Sequence, residues 1–476
     1  MKYISTRKDN HEYSFTEAFL NSYTDDEGLF CPKDVPVISK ETMLKWSKLS
    51  FYDLSLAILS IFIDEDDVPI EELETILKMS YENFHQRELV TMKSVGPTNF
   101  VEEFYGPTYH VKDFSMQFIG QFLKYLVRKD EEHDQFHVYA VLVGTDSDTG
   151  ASTLAGTGYI DYRVNGFCIY PRNKIGYIQE REMISNITSN GHSLCMENSG
   201  IGEVLQIIKD LVIHNKHRDR IHMISANSCN IARVICEIPL SFYAYFHSQT
   251  YPKPISFAIP AANLKSTYTL LLCQKMGLPI EKIIISCRPD SAAERFFRHG
   301  SYQMHKVDQD HPPRFIHSNL ERILYWMLQS DVSTYMEQIV RGELVSFSVD
   351  MVRKTFPSVV IIPVVDTITS TSINLLYHSS FQYLVCPNAA TSFAIALYVL
   401  DYIKKHKQTM DSFDIDAFYE SQRPNLEEAF ENVVNQSSLE CTVICPNSAH
   451  PGKFPYFVAE ALNAPAGNIM PKDIQE

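Results

Sequence analysis

Short apolar runs recur along this chain, and several stop on a turn signal or a proline. Phe136–Val143 alternates and then runs apolar into the Gly/Asp/Ser/Thr stretch 144–150. Phe167–Tyr170 stops at Pro171 and Ile255–Ile259 at Pro260, and Ile221–Ser225, Ile283–Ser286, Val359–Val365 and Cys441–Cys445 are further candidate strands. Helical spacing marks Leu54–Ile63, Ile70–Phe84 and Thr267–Met276, the last closed by Gly277. Strands alternating with helices predict α/β layers around parallel sheets. Ligands of such sheets gather beyond the carboxyl ends of the strands, so the loops after these runs are where a site is expected. A length of 476 residues allows three domain-sized units, or two large ones sharing a cleft.

One loop carries chemistry by itself. Gly106-Pro107-Thr108 is a turn signal, and from Phe114 onward Phe114, Phe118, Ile119, Phe122, Leu123 and Leu126 recur at helical spacing. Lys112 therefore stands near a helix N-terminus, where the dipole and the orphan N–H groups disfavour another positive charge. A lysine held that way keeps a nucleophilic amine, suited to forming an imine with a carbonyl cofactor. A solvated lysine in the first turn of a helix has the same spacing.

Composition narrows the class. With 58 acidic against 42 basic residues, the net charge of -16 argues against nucleic-acid and anionic-membrane binding. No stretch is apolar for the roughly eighteen residues of a membrane span, and no basic patch followed by a signal-type core opens the chain. Ten cysteines without a CxxC pair fit reduced thiols in the cytosol, and Cys441 and Cys445 lack the second ligand pair of a zinc site, so no metal is expected.

The segment Gly106-Pro107-Thr108-Tyr109-His110-Val111-Lys112-Asp113-Phe114 resembles the pyridoxal-phosphate lysine motif of threonine synthases, H-G-P-T-x-A-F-K-D-F. Other family motifs follow in order. Tyr3-Ile4-Ser5-Thr6-Arg7 resembles Y-x-S-T-R-G, and Asp25 to Pro32 resembles D-G-G-L-F-x-P with Glu27 at the first glycine. Gly144 to Gly150 resembles the T-S-G-D-T-G loop, and Asn227 to Arg233 resembles N-S-I-N-W-A-R. Ser318 to Arg322 resembles S-N-F-E-R, and Ser448 to Phe454 resembles T-A-H-P-A-K-F. The lysine segment together with six further motifs, all in the family's order, identifies the chain as similar to the threonine synthase family. Cys386-Pro387, where the family has D-P-H-T-A-V, is closer to the threonine synthase-like proteins of animals.

The resemblance implies fold type II architecture: an N-terminal domain over 1–85, a large cofactor-binding α/β domain over 86–134 and 245–476, and a small α/β domain over 135–244 carrying the 144–150 loop. It implies pyridoxal 5'-phosphate bound by Lys112, Asp148, Ala262, Asn263, Leu264, Lys265 and Ser448, with Lys112 catalytic and Ser448 beside the ring nitrogen. It implies an anionic substrate held by Thr145, Asp146, Ser147, Thr149, Arg233 and Arg322, and gives Gln179 only a peripheral role.

Several motifs depart from the family. Asp146-Ser147 replaces Ser-Gly and sets a carboxylate in an anion cradle, where like charges about 4 Å apart cost a few kcal/mol at an effective dielectric near 20. The phosphate loop P-T-G-N-F-G reads Pro260-Ala261-Ala262-Asn263-Leu264-Lys265, so both glycines are gone while Lys265 offers a charge. His311-Pro312-Pro313-Arg314 replaces S-M-D-I, and Asn388 falls in the altered segment after Pro387. The resulting expectation is a cytosolic phospho-lyase acting on O-phosphohomoserine or phosphothreonine, giving threonine or a 2-oxo acid. The alternative is an inactive descendant that serves as a binding or scaffold protein. Oligomeric state is not legible.

Overall fold

Two parallel sheets organise the chain. In the computed structural model, which describes residues 1–304, 316–422, 425–435, 439 and 441–465, the larger sheet has six strands. Their order is Val359–Pro363, Ile280–Cys287, Ile255–Pro260, Thr442–Asn447, Thr98–Glu102 and Thr91–Val95. All neighbours pair in parallel except the last two, which form a hairpin. The parallel strands read as continuous β-branched runs, such as Ile283-Ile284-Ile285 and, even at the edge of the sheet, Val360-Ile361-Ile362, because helices cover both faces. The helix Pro387–His406 is buried along most of its length, with proline at its first turn.

The second sheet is parallel throughout: Gly191–Met196, Val164–Pro171, Val138–Gly144 and Ile221–Ser225 in that order. Residues 1–81 add the short antiparallel pair Tyr3–Ser5 and Phe30–Pro32, followed by helices Phe51–Phe62 and Ile70–Tyr81. Phe15 and Phe19 of this region stack edge-on against Phe122, which anchors the helix Lys112–Glu132.

That helix is set against the helix Thr149–Thr157 by a glycine contact. A Cβ on Gly120 would lie 1.8 Å from the Gly156 carbonyl oxygen, and one on Gly156 would lie 2.4 Å from the Met116 oxygen. Only glycine permits this approach. It fixes the lysine helix beside the helix that follows the 144–150 loop. Among the described residues no helix is long and apolar enough to cross a membrane. The altered segment His311-Pro312-Pro313-Arg314 lies outside the described residues.

Candidate functional site

A cavity of about 640 Å³ opens where five parallel strands end. Its wall takes Glu103 after Thr98–Glu102, Gly144 at the end of its strand, Asn227 after Ile221–Ser225, Pro260, and Pro446. Both sheets therefore contribute their carboxyl edges, the position expected for a ligand site in open α/β sheets.

The lysine turn is wrapped around one buried carboxylate. Asp113 Oδ2 accepts from the Thr108 N–H at 2.8 Å, and its Oδ1 accepts from the Thr108 hydroxyl at 2.7 Å. A Cβ on Gly106 would lie 2.4 Å from the Asp113 side chain, so glycine there clears the space that the carboxylate needs. The turn is then stitched to residues 448–450. The Val111 N–H donates to the Ser448 oxygen at 2.7 Å, and the His450 N–H donates to the Tyr109 oxygen at 3.0 Å. Motifs more than 330 positions apart in sequence thus share one small ladder, and it brings Ser448 and Lys112 to the same cavity.

Lys112 is the first residue of its helix and lines the cavity. Burial pushes its pKa down to about 8, opposed by Asp148 and assisted by Arg233, Lys265 and Lys453. The sequence expectation of a disfavoured ammonium agrees in direction. The chief cause is burial, and the neighbouring cations add to it. His110 is held neutral by burial; its Nδ1 accepts the Lys112 N–H at 3.1 Å, leaving Nε2 to face Asp148 at 3.5 Å.

Of the loop 144–150, Thr145, Asp146, Ser147 and Thr149 line the cavity. Asp148 does not. It is buried behind the loop, where burial raises its pKa but Lys453, His110 and Lys112 outweigh that and hold the carboxylate well below its usual range. Lys453 Nζ lies 3.0 Å from Asp148, 2.6 Å from the Thr108 oxygen and 2.5 Å from Glu182. Burial pushes Glu182 up to about 7. Gln179 donates to the Lys453 oxygen at 3.1 Å, a peripheral prop for the same network. Asp146 faces the cavity from its solvent-exposed mouth, and burial by its surroundings raises its pKa against the pull of Lys112.

The 260–265 loop keeps a glycine-type backbone without glycine. Ala262 has φ of 40° and Leu264 has φ of 61°, both left-handed, before the helix Lys265–Lys275 begins. Asn263 is a joint: its amide donates to the Ser228 hydroxyl at 2.7 Å and its Oδ1 accepts the Lys265 N–H at 3.1 Å. Ala262, Asn263 and Lys265 line the cavity, whereas Leu264 is fully buried away from it. The Lys265 ammonium, expected to offer free charge, is paired with Glu237.

Arg233 lines the cavity, donates to the Ala226 oxygen at 2.8 Å, and keeps a buried Nε without a partner among the described residues. Arg322 corrects the sequence expectation of an anion clamp. It is fully buried, and its guanidinium donates to Phe30 O at 2.9 Å, Ser228 O at 3.1 Å, Asn319 Oδ1 at 2.6 Å and Cys229 O at 2.5 Å. It braces the 227–230 loop instead.

Sequence reasoning missed Glu103 and Glu237. Both line the cavity, and burial followed by the charge of Glu237 pushes Glu103 up to about 8. Each had a signal: Glu103 follows a strand that leads into the lysine turn, and Glu237 lies four positions after Arg233.

Known proteins share this build. A family profile described as threonine synthase N terminus matches residues 2–81. Threonine synthase of Eremothecium gossypii is 28% identical over 97% of this chain and 89% of its own length. Human threonine synthase-like 2 is 27% identical over 82% of each chain. The yeast threonine synthase crystal structure superposes with a TM-score of 0.80 at 23% identity, covering 100% of this chain and 93% of that one. A pyridoxal-phosphate-bound threonine synthase from Brucella melitensis gives 0.76 at 21% identity, covering 97% and 91%. Fungal synthases and animal synthase-like proteins match at similar identity. The architecture is fold type II, and the chain is similar to threonine synthases and threonine synthase-like proteins over most of its length.

Proposed function

We propose that this protein is a pyridoxal-phosphate-dependent lyase that releases phosphate from a phosphorylated amino acid such as O-phosphohomoserine or phosphothreonine. The observation that carries the reading is Lys112, a cavity lysine whose pKa is pushed down to about 8 and which shares its cavity with Ser448. The residues fit the cofactor. Lys112 would hold its carbonyl carbon, the Ser448 hydroxyl its ring nitrogen, and the 260–265 loop its phosphate. The buried, unpartnered Arg233 Nε and Thr269 hydroxyl on the cavity wall are polar atoms that a ligand would satisfy. Pyridoxal phosphate supplies an electron sink for the substrate carbons.

The chain's own groups do the rest. With a pKa near 8, Lys112 is available near neutral pH both to accept and to return a proton. Arg233, Ser147 and Thr149 line the cavity as partners for the substrate's anionic groups, and Thr145, whose hydroxyl donates to the Ser147 oxygen at 2.8 Å, shapes the loop that presents them. His110 and Asp148 sit behind Lys112 and orient the turn rather than touch the substrate. Where water meets the reacting carbon decides between threonine and a 2-oxo acid. The domain ranges 1–85, 86–134 with 245–476, and 135–244, and a cytosolic location, belong to the same proposal.

The Lys265–Glu237 pair favours a second reading, a binding protein that has lost turnover, because it occupies charge otherwise available to a phosphate. Titration with pyridoxal phosphate, borohydride reduction and peptide mapping test the first reading. A visible band trapped on Lys112 and lost in Lys112→Ala is expected, followed by phosphate release from the named substrates. A band trapped elsewhere would overturn the assignment of Lys112. Trapping without any phosphate release would favour the binding protein. Asp146→Ser is expected to raise turnover of O-phosphohomoserine, since it removes a carboxyl from the cavity mouth.

A further inference from the structure

At the helix end of the 260–265 loop the cavity wall holds three charged-type side chains within one buried cluster. Lys265 Nζ pairs with Glu237 Oε1, with side-chain exposures of 9% and 11%. Glu103 is 7% exposed, and Lys265 and Glu237 are the charged groups that act on it. The Arg233 charge also acts on Lys265. Burial pushes Glu103 up to about 8, so it is uncharged at neutral pH, and Glu237 is the anion that balances Lys265.

Two further observations point to a missing anionic partner here. Arg233 is 2% exposed and its Nε has no partner among the described residues. Thr269, on the same helix as Lys265 and also 2% exposed, has an unpartnered hydroxyl, and both residues line the cavity. The loop backbone meanwhile keeps left-handed φ at Ala262 and Leu264, in front of a helix N-terminus.

We infer that Glu237 is a built-in surrogate anion: it holds Lys265 when no phosphate monoester is bound, and it competes with the phosphate group for Lys265 when one binds. This rests on the reading of 260–265 as the phosphate end of the cavity. A phosphate monoester carries about -1.5 to -2 charge and three acceptor oxygens at pH 7, against one charge for the carboxylate. It therefore takes Lys265, Arg233 and Thr269 together, and Glu237 is left beside the neutral carboxyl of Glu103. The competition lowers phosphate affinity without closing the site, and it makes Glu237 a specificity residue for the charge on the ligand.

Glu237→Gln tests this, since it keeps the shape and a hydrogen-bond acceptor for Lys265 while removing the charge. Inorganic phosphate is followed by calorimetry, and pyridoxal phosphate and pyridoxal by absorbance. Phosphate and pyridoxal phosphate are expected to bind about tenfold tighter to the variant, equivalent to about 1.4 kcal/mol. Pyridoxal, which lacks the phosphate, is expected to bind unchanged. Lys265→Met is expected to weaken both phosphate-bearing ligands. Affinities within about twofold of the parent in Glu237→Gln, or a gain shared by pyridoxal, would overturn the inference while leaving the cofactor reading intact. Tighter inorganic phosphate with no pyridoxal-phosphate band in any variant would uphold the surrogate anion and sink the cofactor reading instead.

Discussion

The two ends of the cavity keep their charges in different ways. At the lysine turn the buried charges are tied into a lattice: Asp113 to Thr108, and Lys453 to Asp148, Glu182 and the Thr108 oxygen. At the 260–265 loop the charges are tied chiefly to each other, as Lys265 to Glu237, and they face open space. A buried charge fixed by several partners is costly to disturb, because removing one partner strands the others. A pair facing a cavity can trade one member for a ligand. The first end is built to hold a geometry, and the second to exchange an anion.

The largest test of that contrast is Asp113→Ala. It strands the Thr108 N–H and takes a carboxylate from the surroundings of Lys453, and a loss of about 3 kcal/mol is expected in urea unfolding. A loss under about 1 kcal/mol would mean that the turn holds without its carboxylate, and the contrast would fail.

The two ends should also answer pH with opposite slopes. Glu103 is an acid whose folded pKa of about 8 lies above its ordinary 4.5. The unfolded chain ionises it first, so stability falls as pH rises from about 4.5 to about 8. Glu103→Gln should therefore stabilise the fold by about 2–3 kcal/mol at pH 7 and by almost nothing at pH 4. Lys112 is a base whose folded pKa of about 8 lies below its ordinary 10.5. Here the unfolded chain takes the proton first as pH falls, so stability is lost between about 10.5 and 8 and stays lost below. Lys112→Met should stabilise by about 2 kcal/mol at pH 7, a figure reduced for its partial exposure, with no gain near pH 11. Unfolding curves of the two variants across this range check both signs. Slopes of the same sign would break the comparison.

The strands of the larger sheet were legible in sequence where residues are β-branched and buried: Ile255–Ile259 and Ile283–Ser286 lie inside the observed Ile255–Pro260 and Ile280–Cys287. Gly191–Met196 was not, because an edge strand with half-exposed His192 and Ser193 and exposed Leu194 has no continuous apolar run. Lys112 was legible because turn, lysine and apolar helix are contiguous. The ladder between 109–111 and 448–450 was not, since its bonds run through main chain and carry no residue signature. Arg322 shows the opposite failure. An arginine in a motif reads as an anion clamp, and only the positions of four oxygens reveal that four of its five N–H donors are already used. Lys265 likewise reads as free charge until Glu237 is placed beside it.

The smallest expected effect lies in the 260–265 backbone. Ala262 holds φ of 40°, in a region where an L-residue costs about 1–2 kcal/mol relative to glycine. Ala262→Gly relieves that, while the added freedom of the unfolded chain takes back about 0.5–1 kcal/mol. The net is a gain of about 0.5 kcal/mol, readable in chemical denaturation against Ala261→Gly as control. Ala261 is not among the residues with positive φ and is buried, so the same change there brings the entropic loss and the loss of a buried methyl, with no strain relieved. Opposite signs at neighbouring positions would show that the loop keeps a glycine-shaped backbone under strain. Equal losses would mean that Ala262 is at ease there, and the phosphate end would then differ from the lysine end in its charges alone.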